Sequence, residues 1–121
     1  MAVILVVEDE VFTREMAIMI INEWGHQTLA ASDVGEALSH LNSPHHIDAL
    51  FTDIYLKTAV EGGCDLARQA IIIRPELRVL YTTGNYVTEK MRALFVDGKF
   101  FLSKPYTQQQ LQDSVDDMLA A

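Results

Sequence analysis

Val3-Ile4-Leu5-Val6-Val7 runs straight into Glu8-Asp9-Glu10, so an unbroken apolar, β-branched stretch stops on charge. A strand covered on both faces reads this way, without the polar alternation of a half-wet sheet. Three further runs end alike: Ile47-Asp48-Ala49-Leu50-Phe51-Thr52 on Asp53, Val79-Leu80-Tyr81-Thr82 on Thr83, and Phe100-Phe101-Leu102-Ser103 on Lys104. As parallel strands of one sheet they would bring three carboxylates, a hydroxyl and an ammonium to one rim. Open α/β sheets bind ligands outside the carboxyl ends of their strands, so the pattern indicates a site as well as a fold.

The stretches between these runs read as helices. Residues 11–24 carry Phe12, Met16, Ile20 and Trp24 at four-residue spacing and stop at Gly25, where a left-handed cap is easy. Residues 26–31 form a short second strand, and Asp33, three residues before Glu36, opens a short helix to Leu41 in the manner of a capping box. Asn42-Ser43-Pro44 breaks it. Residues 54–63 read as a long polar loop with Gly62-Gly63, followed by a helix from Cys64 to Arg74 that Pro75 closes. A helix is expected over 86–96, ending at Asp97-Gly98, and a fifth strand over 99–103. Thr107 with Gln110 opens the last helix, whose Leu111, Val115, Met118 and Leu119 form one stripe. Five strands alternating with helices predict an α/β fold with a doubly wound parallel sheet. The expected organisation is one domain over residues 1–121, with no output domain after the last helix.

Composition narrows the function. Half of the 121 residues are apolar, which argues against disorder. No apolar run approaches the roughly 20 residues that span a bilayer, and no secretory-type leader precedes the first strand. A cytoplasmic protein without membrane insertion is the expectation. The formal charge of −8 repels polyphosphate, so direct nucleic-acid binding is not expected. Cys64 is the single cysteine and allows neither an internal disulfide nor a thiolate metal cluster. His26, His40, His45 and His46 show no ligand spacing with the acidic residues.

The chemistry of the rim follows from charge. Two carboxylates about 4 Å apart repel by about 4 kcal/mol at an effective dielectric of about 20, so they share a proton or a cation. An all-oxygen cluster suits a hard ion such as Mg2+, which also draws phosphate oxygens. Asp53 can act as a nucleophile, because aspartate carboxylates form acyl phosphates. Lys104 offers a point charge and Thr83 a hydroxyl donor to phosphoryl oxygens. No His-Ser or His-Cys pairing sits at these strand ends, and neither GxxxxGK[ST] nor GxGxxG occurs. Taken singly, each residue has a plain reading: Glu8-Asp9 as a helix start, Asp53 as a turn residue, Lys104 as a solvated loop lysine. Their coincidence at one rim is what carries the functional reading.

In the acidic pair Glu8-Asp9, Asp53, Thr83-Gly84, Phe101 and Lys104-Pro105, the chain closely resembles the receiver domain of two-component response regulators. The resemblance covers essentially the whole chain and implies a flavodoxin-like fold with five helices and strand order 2-1-3-4-5. It further implies that Asp53 accepts a phosphoryl group from a sensor histidine kinase or a histidine phosphotransfer protein. Mg2+ would be held by Asp9 directly, by Glu8 through water, by Asp53 and by the backbone carbonyl of Tyr55. Thr83 and Phe101 would form the switch that alters a surface read by a downstream protein target, and the Lys104-Pro105 peptide would be cis. On this resemblance the protein is not an enzyme beyond its own autocatalytic phosphorylation and dephosphorylation.

Two departures stand out. Lys57 takes the place of a usual proline in the loop after Asp53, and that loop is a residue or two longer than the common form. Tyr55 and Asn85 occupy positions that tune phosphoryl lifetime in the family; Tyr55 could shield the acyl phosphate and Asn85 could position a water. The Thr83-Gly84-Asn85-Tyr86 stretch is similar to receivers of hybrid kinases and stand-alone phosphate shuttles, and Gly84 gives its loop freedom before phosphorylation. Two other classes remain in view: a receiver-fold adaptor that docks without phosphorylation, and an aspartyl phosphatase. The second is disfavoured because Tyr55 stands where such enzymes carry a second aspartate.

Overall fold

The computed structural model describes residues 1–56 and 62–121. Five strands, β1 (Val3–Val7), β2 (Gln27–Ala31), β3 (Ala49–Asp53), β4 (Arg78–Thr83) and β5 (Phe100–Ser103), form one sheet in the order β2-β1-β3-β4-β5. All four pairings are parallel. The helices are α1 (Val11–Glu23), α2 (Val34–Leu41), α3 (Gly62–Ile73), α4 (Glu89–Arg92) and α5 (Gln108–Ala120). The doubly wound fold and its strand order are those expected from the sequence.

Because alternate residues of a strand point to opposite faces, the sheet feeds two cores. Leu5, Val7, Leu50, Val79 and Tyr81 join Ala37, Leu41, Leu66, Ala67 and Met91 in one. Ile4, Val6, Phe51 and Leu80 join Ala17, Ile20, Ile21, Leu111, Val115 and Met118 in the other. The first core thus lies under α2, α3 and α4, and the second under α1 and α5. At the far end of α1, Trp24 donates its indole N–H to Asp116 of α5 at 2.8 Å. Among the described residues, no helix is long and apolar enough to cross a membrane.

Caps explain the helices that match expectation. Asp33 accepts the Glu36 amide at 2.7 Å, and Thr107 and Gln110 form a reciprocal capping box. Glu10 caps α1 by accepting from Thr13 N at 2.7 Å. Gly25, with φ 96°, follows that helix as read from the sequence.

Three elements differ. In α1 the buried residues are Ala17, Ile20 and Ile21, whereas Phe12 is 80% exposed and Met16 and Trp24 are about half exposed. Four-residue steps overrun a 3.6-residue turn by about 40° each, so the 12-16-20-24 row crosses the core line only near Ile20. Helix α3 begins at Gly62 rather than Cys64, so the glycine pair is its first turn and not loop.

The helix expected over 86–96 is the single turn Glu89–Arg92, started by Thr88, whose hydroxyl accepts from Met91 N. Beyond it the Phe95 ring stacks on Tyr81 at 4.4 Å, and the Val96 amide donates to the Tyr81 hydroxyl at 3.1 Å. Those contacts take Phe95 and Val96 out of helical geometry. The expectations about Lys57 and the length of its loop concern a segment outside the described residues.

Candidate functional site

The strands end in step, and that brings the chemistry together. Val7 is the last residue of β1, and the chain turns through Glu8 and Asp9 into α1. Asp53 closes β3 and is in register with Thr82 of β4. Thr83 pairs with Ser103, and the next residue, Lys104, donates its amide to the Thr83 carbonyl at 3.0 Å. Glu8, Asp53 and Thr83 are buried at this rim, with exposures of 4%, 7% and 2%.

One ammonium ties two strand ends together. Lys104 Nζ donates to Asp53 Oδ2 at 2.8 Å and to Glu8 Oε1. The other oxygen of each carboxylate takes a backbone N–H: Glu8 Oε2 from Glu10 at 3.1 Å, Asp53 Oδ1 from Tyr55 at 3.2 Å. Burial pushes the Glu8 carboxyl above its usual range, and the hydrogen bonds from Lys104 and Glu10 only partly offset that push. Burial alone would lower the Lys104 ammonium; hydrogen bonds to Asp53 and Glu8 outweigh it and hold the pKa above normal. Tyr106, two residues on, is pushed up to about 12, chiefly by burial.

The donor set fits a hard divalent ion. Glu8, Asp9 and Asp53 each offer a carboxylate oxygen, and the three oxygens lie within 4.8 Å of one another. All-oxygen carboxylate sets of this kind suit Mg2+.

The remaining expected residues are placed as follows. Tyr55 stands two residues beyond Asp53, half-buried, with its amide on that carboxylate. The Thr83 hydroxyl accepts from Asn85 N at 3.1 Å and so closes its own loop. Phe101 is half-buried, its ring 6.3 Å from Phe95 and at 21° to it. The Lys104-Pro105 peptide is cis.

Three supporting residues were not legible as such. Arg14 donates from Nη1 to the Glu8 carbonyl at 2.9 Å, from the first turn of α1. Its signal was a cation six residues after Glu8. Thr52, fully buried, donates its hydroxyl to the Asp53 carbonyl at 3.0 Å. Gly63 packs its Cα against the same carbonyl: a Cβ there would lie 2.0 Å from Asp53 O and 2.8 Å from Ile54 Cα. That close approach, and not a turn, is why glycine is required there. The Gly63 amide also donates to Ile54 O at 3.0 Å, so the start of α3 braces the backbone that carries Asp53.

Comparison with known proteins agrees with the geometry. The family model described as "Response regulator receiver domain" matches residues 4–116. A curated relative, the phosphate regulon transcriptional regulatory protein PhoB of Klebsiella pneumoniae, is 28% identical over 113 residues, which are 89% of this chain and 47% of that protein. The chain therefore spans about half the length of this relative. Among solved structures, a response regulator receiver protein from Sinorhizobium medicae superposes with a TM-score of 0.89 at 28% identity, covering 99% of this chain and 95% of that one. A receiver domain protein from Clostridium thermocellum gives 0.86 at 25% identity, with coverage of 99% and 95%. With a family model running from Ile4 to Asp116 and a sheet rim built as described, the chain belongs to the response regulator receiver domain family.

Proposed function

We propose that this receiver accepts a phosphoryl group on Asp53 from a phosphohistidine of a sensor histidine kinase or a histidine phosphotransfer protein, and signals by contact with a downstream protein. The observation that carries this reading is the Lys104 ammonium shared between Asp53 and Glu8 beside Asp9. Asp53 is the group with a hydroxyl-braced backbone, a nearby cation and little solvent, as a positioned nucleophile needs.

In the reaction an Asp53 carboxylate oxygen forms a bond to phosphorus as the phosphorus–nitrogen bond to the partner's imidazole breaks. The imidazole leaves with that bonding pair. Lys104 then faces the oxygens of the acyl phosphate, and the Tyr55 amide steadies the carboxylate. Glu8, Asp9, Asp53 and the Tyr55 carbonyl would hold Mg2+, which when bound supplies positive charge to the phosphoryl oxygens. Thr83 gives up its bond to Asn85 N and donates its hydroxyl to the phosphoryl group. Phe101 follows, shifting the ring stack toward Phe95 and the surface of α4 and β5. On this reading the protein works in the cytoplasm, with kinases and targets that share it.

The test is intact mass after incubation with a small acyl phosphate and Mg2+. The expected result is a gain of one phosphoryl group in the native protein and none in Asp53→Asn. No gain, or an equal gain in the variant, overturns the reading. Binding of a partner that is indifferent to Asp53→Asn would favour the adaptor reading instead.

A further inference from the structure

We propose that Thr82 is a positioning residue for the transfer: its buried hydroxyl ties the edge strand β5 to β4 and so sets where the chain delivers Lys104. The inference rests on the reading of Asp53 as a phosphoryl acceptor, and it names a residue outside that reading.

Strand β5 lies at the edge of the sheet, with β4 as its one strand neighbour. It has four residues, three of them half-buried and Ser103 exposed. Whatever it carries to the rim, Lys104 and Phe101 included, is therefore placed through β4. Short elements with few buried contacts open at low free energy, so β5 needs a fastening that burial does not provide.

Thr82 supplies one. It is 3% exposed, and its hydroxyl donates to the Leu102 carbonyl at 2.7 Å. Leu102 is its register partner on β5 and stands two residues before Lys104. On its other side Thr82 is in register with Asp53, and its own carbonyl accepts the Ile54 amide at 2.9 Å. One residue thus holds the strand of the acceptor through its backbone and the strand that leads to the ammonium through its side chain.

The hydroxyl is not needed for packing. Valine has the same branched shape, suits a buried strand and brings no polar atom to satisfy. What threonine adds is the bond to Leu102, whose carbonyl can accept it alongside a ladder bond because it has two lone pairs. Placement matters here, since an error of about 1 Å in a reacting constellation can cost about a hundredfold in rate.

Two matched pairs isolate the hydroxyl: native protein against Thr82→Val, and Thr82→Ser against Thr82→Ala. The rate of phosphoryl gain on Asp53 from a small acyl phosphate with Mg2+ is read by intact mass. Exchange of the Lys104 amide, which donates to Thr83 O, is read by NMR with no phosphoryl donor present. Thr82→Val is expected to react about tenfold more slowly than the native protein, and Thr82→Ala about tenfold more slowly than Thr82→Ser. Thr82→Ser should stay within about threefold of the native rate, because it keeps the bond. The Lys104 amide should exchange faster in Thr82→Val and Thr82→Ala than in their hydroxyl-bearing counterparts. Urea midpoints should rank otherwise: Thr82→Ser, which loses a buried methyl, should fall below Thr82→Val, which keeps its volume. A residue that served stability alone would make the rate follow the midpoint.

Equal rates within each pair, rates that follow the urea midpoint instead of the hydroxyl, or Lys104 exchange indifferent to the hydroxyl in both pairs overturns the proposal. If Thr82→Val does not fold, the comparison of Thr82→Ser with Thr82→Ala decides alone. A native protein that gains no phosphoryl group overturns the acceptor reading and this one together. A native protein that gains one, with no difference within the pairs, overturns this one only.

Discussion

The two faces of the sheet are built from the same five strands but held in different ways. On one side lie α1 and α5, thirteen residues each, both opened by side-chain caps and joined at the far end by Trp24 and Asp116. On the other, α2 and α3 are followed by the one-turn α4 and a segment fixed through Phe95 and Val96 to Tyr81. The first face is secured by two long, capped helices and the bond between them. The second is secured near β4 and β5 by a ring stack and one phenol hydrogen bond. The difference separates a scaffold from the part of the fold that a change at Thr83 or Phe101 can reach.

The contrast can be broken from the scaffold side. Leu111 of α5 is fully buried, and Leu111→Ala is expected to cost about 3 kcal/mol, read as a lower urea midpoint. If amide exchange sped up only near α4, the two faces would not be ranked as described.

Alkaline pH probes the other face. Tyr81 is fully buried, and burial pushes its pKa from 10.0 to about 12 against the opposing Val96 bond. The folded state therefore keeps a proton that the unfolded chain releases above pH 10. Stability is full below that pH and falls between 10 and about 12, by about 2 kcal/mol from this group. The raised pKa of Lys104 acts in the same sense, its contribution being lost as pH rises beyond the ordinary lysine value of 10.5. Equilibrium unfolding across this range should show the fall. Tyr81→Phe should remove the tyrosine share, while costing about 1 kcal/mol at neutral pH because Val96 N loses its acceptor.

The smallest effects come from two matched caps. Thr107→Ala is expected to lower global stability by about 1 kcal/mol, seen in the urea midpoint. Thr88→Ala caps only one turn and should shift that midpoint by at most a few tenths of a kcal/mol, while speeding exchange of the Met91 amide. Equal losses from the two variants would erase the distinction between the faces.

The same contrast explains what could be read beforehand. Strand ends were legible because burial on both faces leaves a continuous apolar run, and reactive residues then fall at its end. Glu8, Asp53, Thr83 and Lys104 were found in this way. Caps such as Asp33 and Thr107 were legible because their chemistry is local. The truncation of α4 was not, since it depends on a tyrosine 15 residues away from the amide that it accepts. The role of Gly63 was hidden for the same reason: the sequence has glycine there, but only the approach of α3 to the Asp53 carbonyl says why. On α1 the apolar residues were correctly seen, and the row they form was not the row that is buried.

The chain contains one tryptophan, and its indole is hydrogen-bonded across the α1–α5 seam to Asp116. Selectively excited indole fluorescence therefore watches the scaffold. An optical experiment that finds no change in indole emission would be reporting on that seam alone. A second indole placed at the exposed Tyr86 would give the other face a voice of its own.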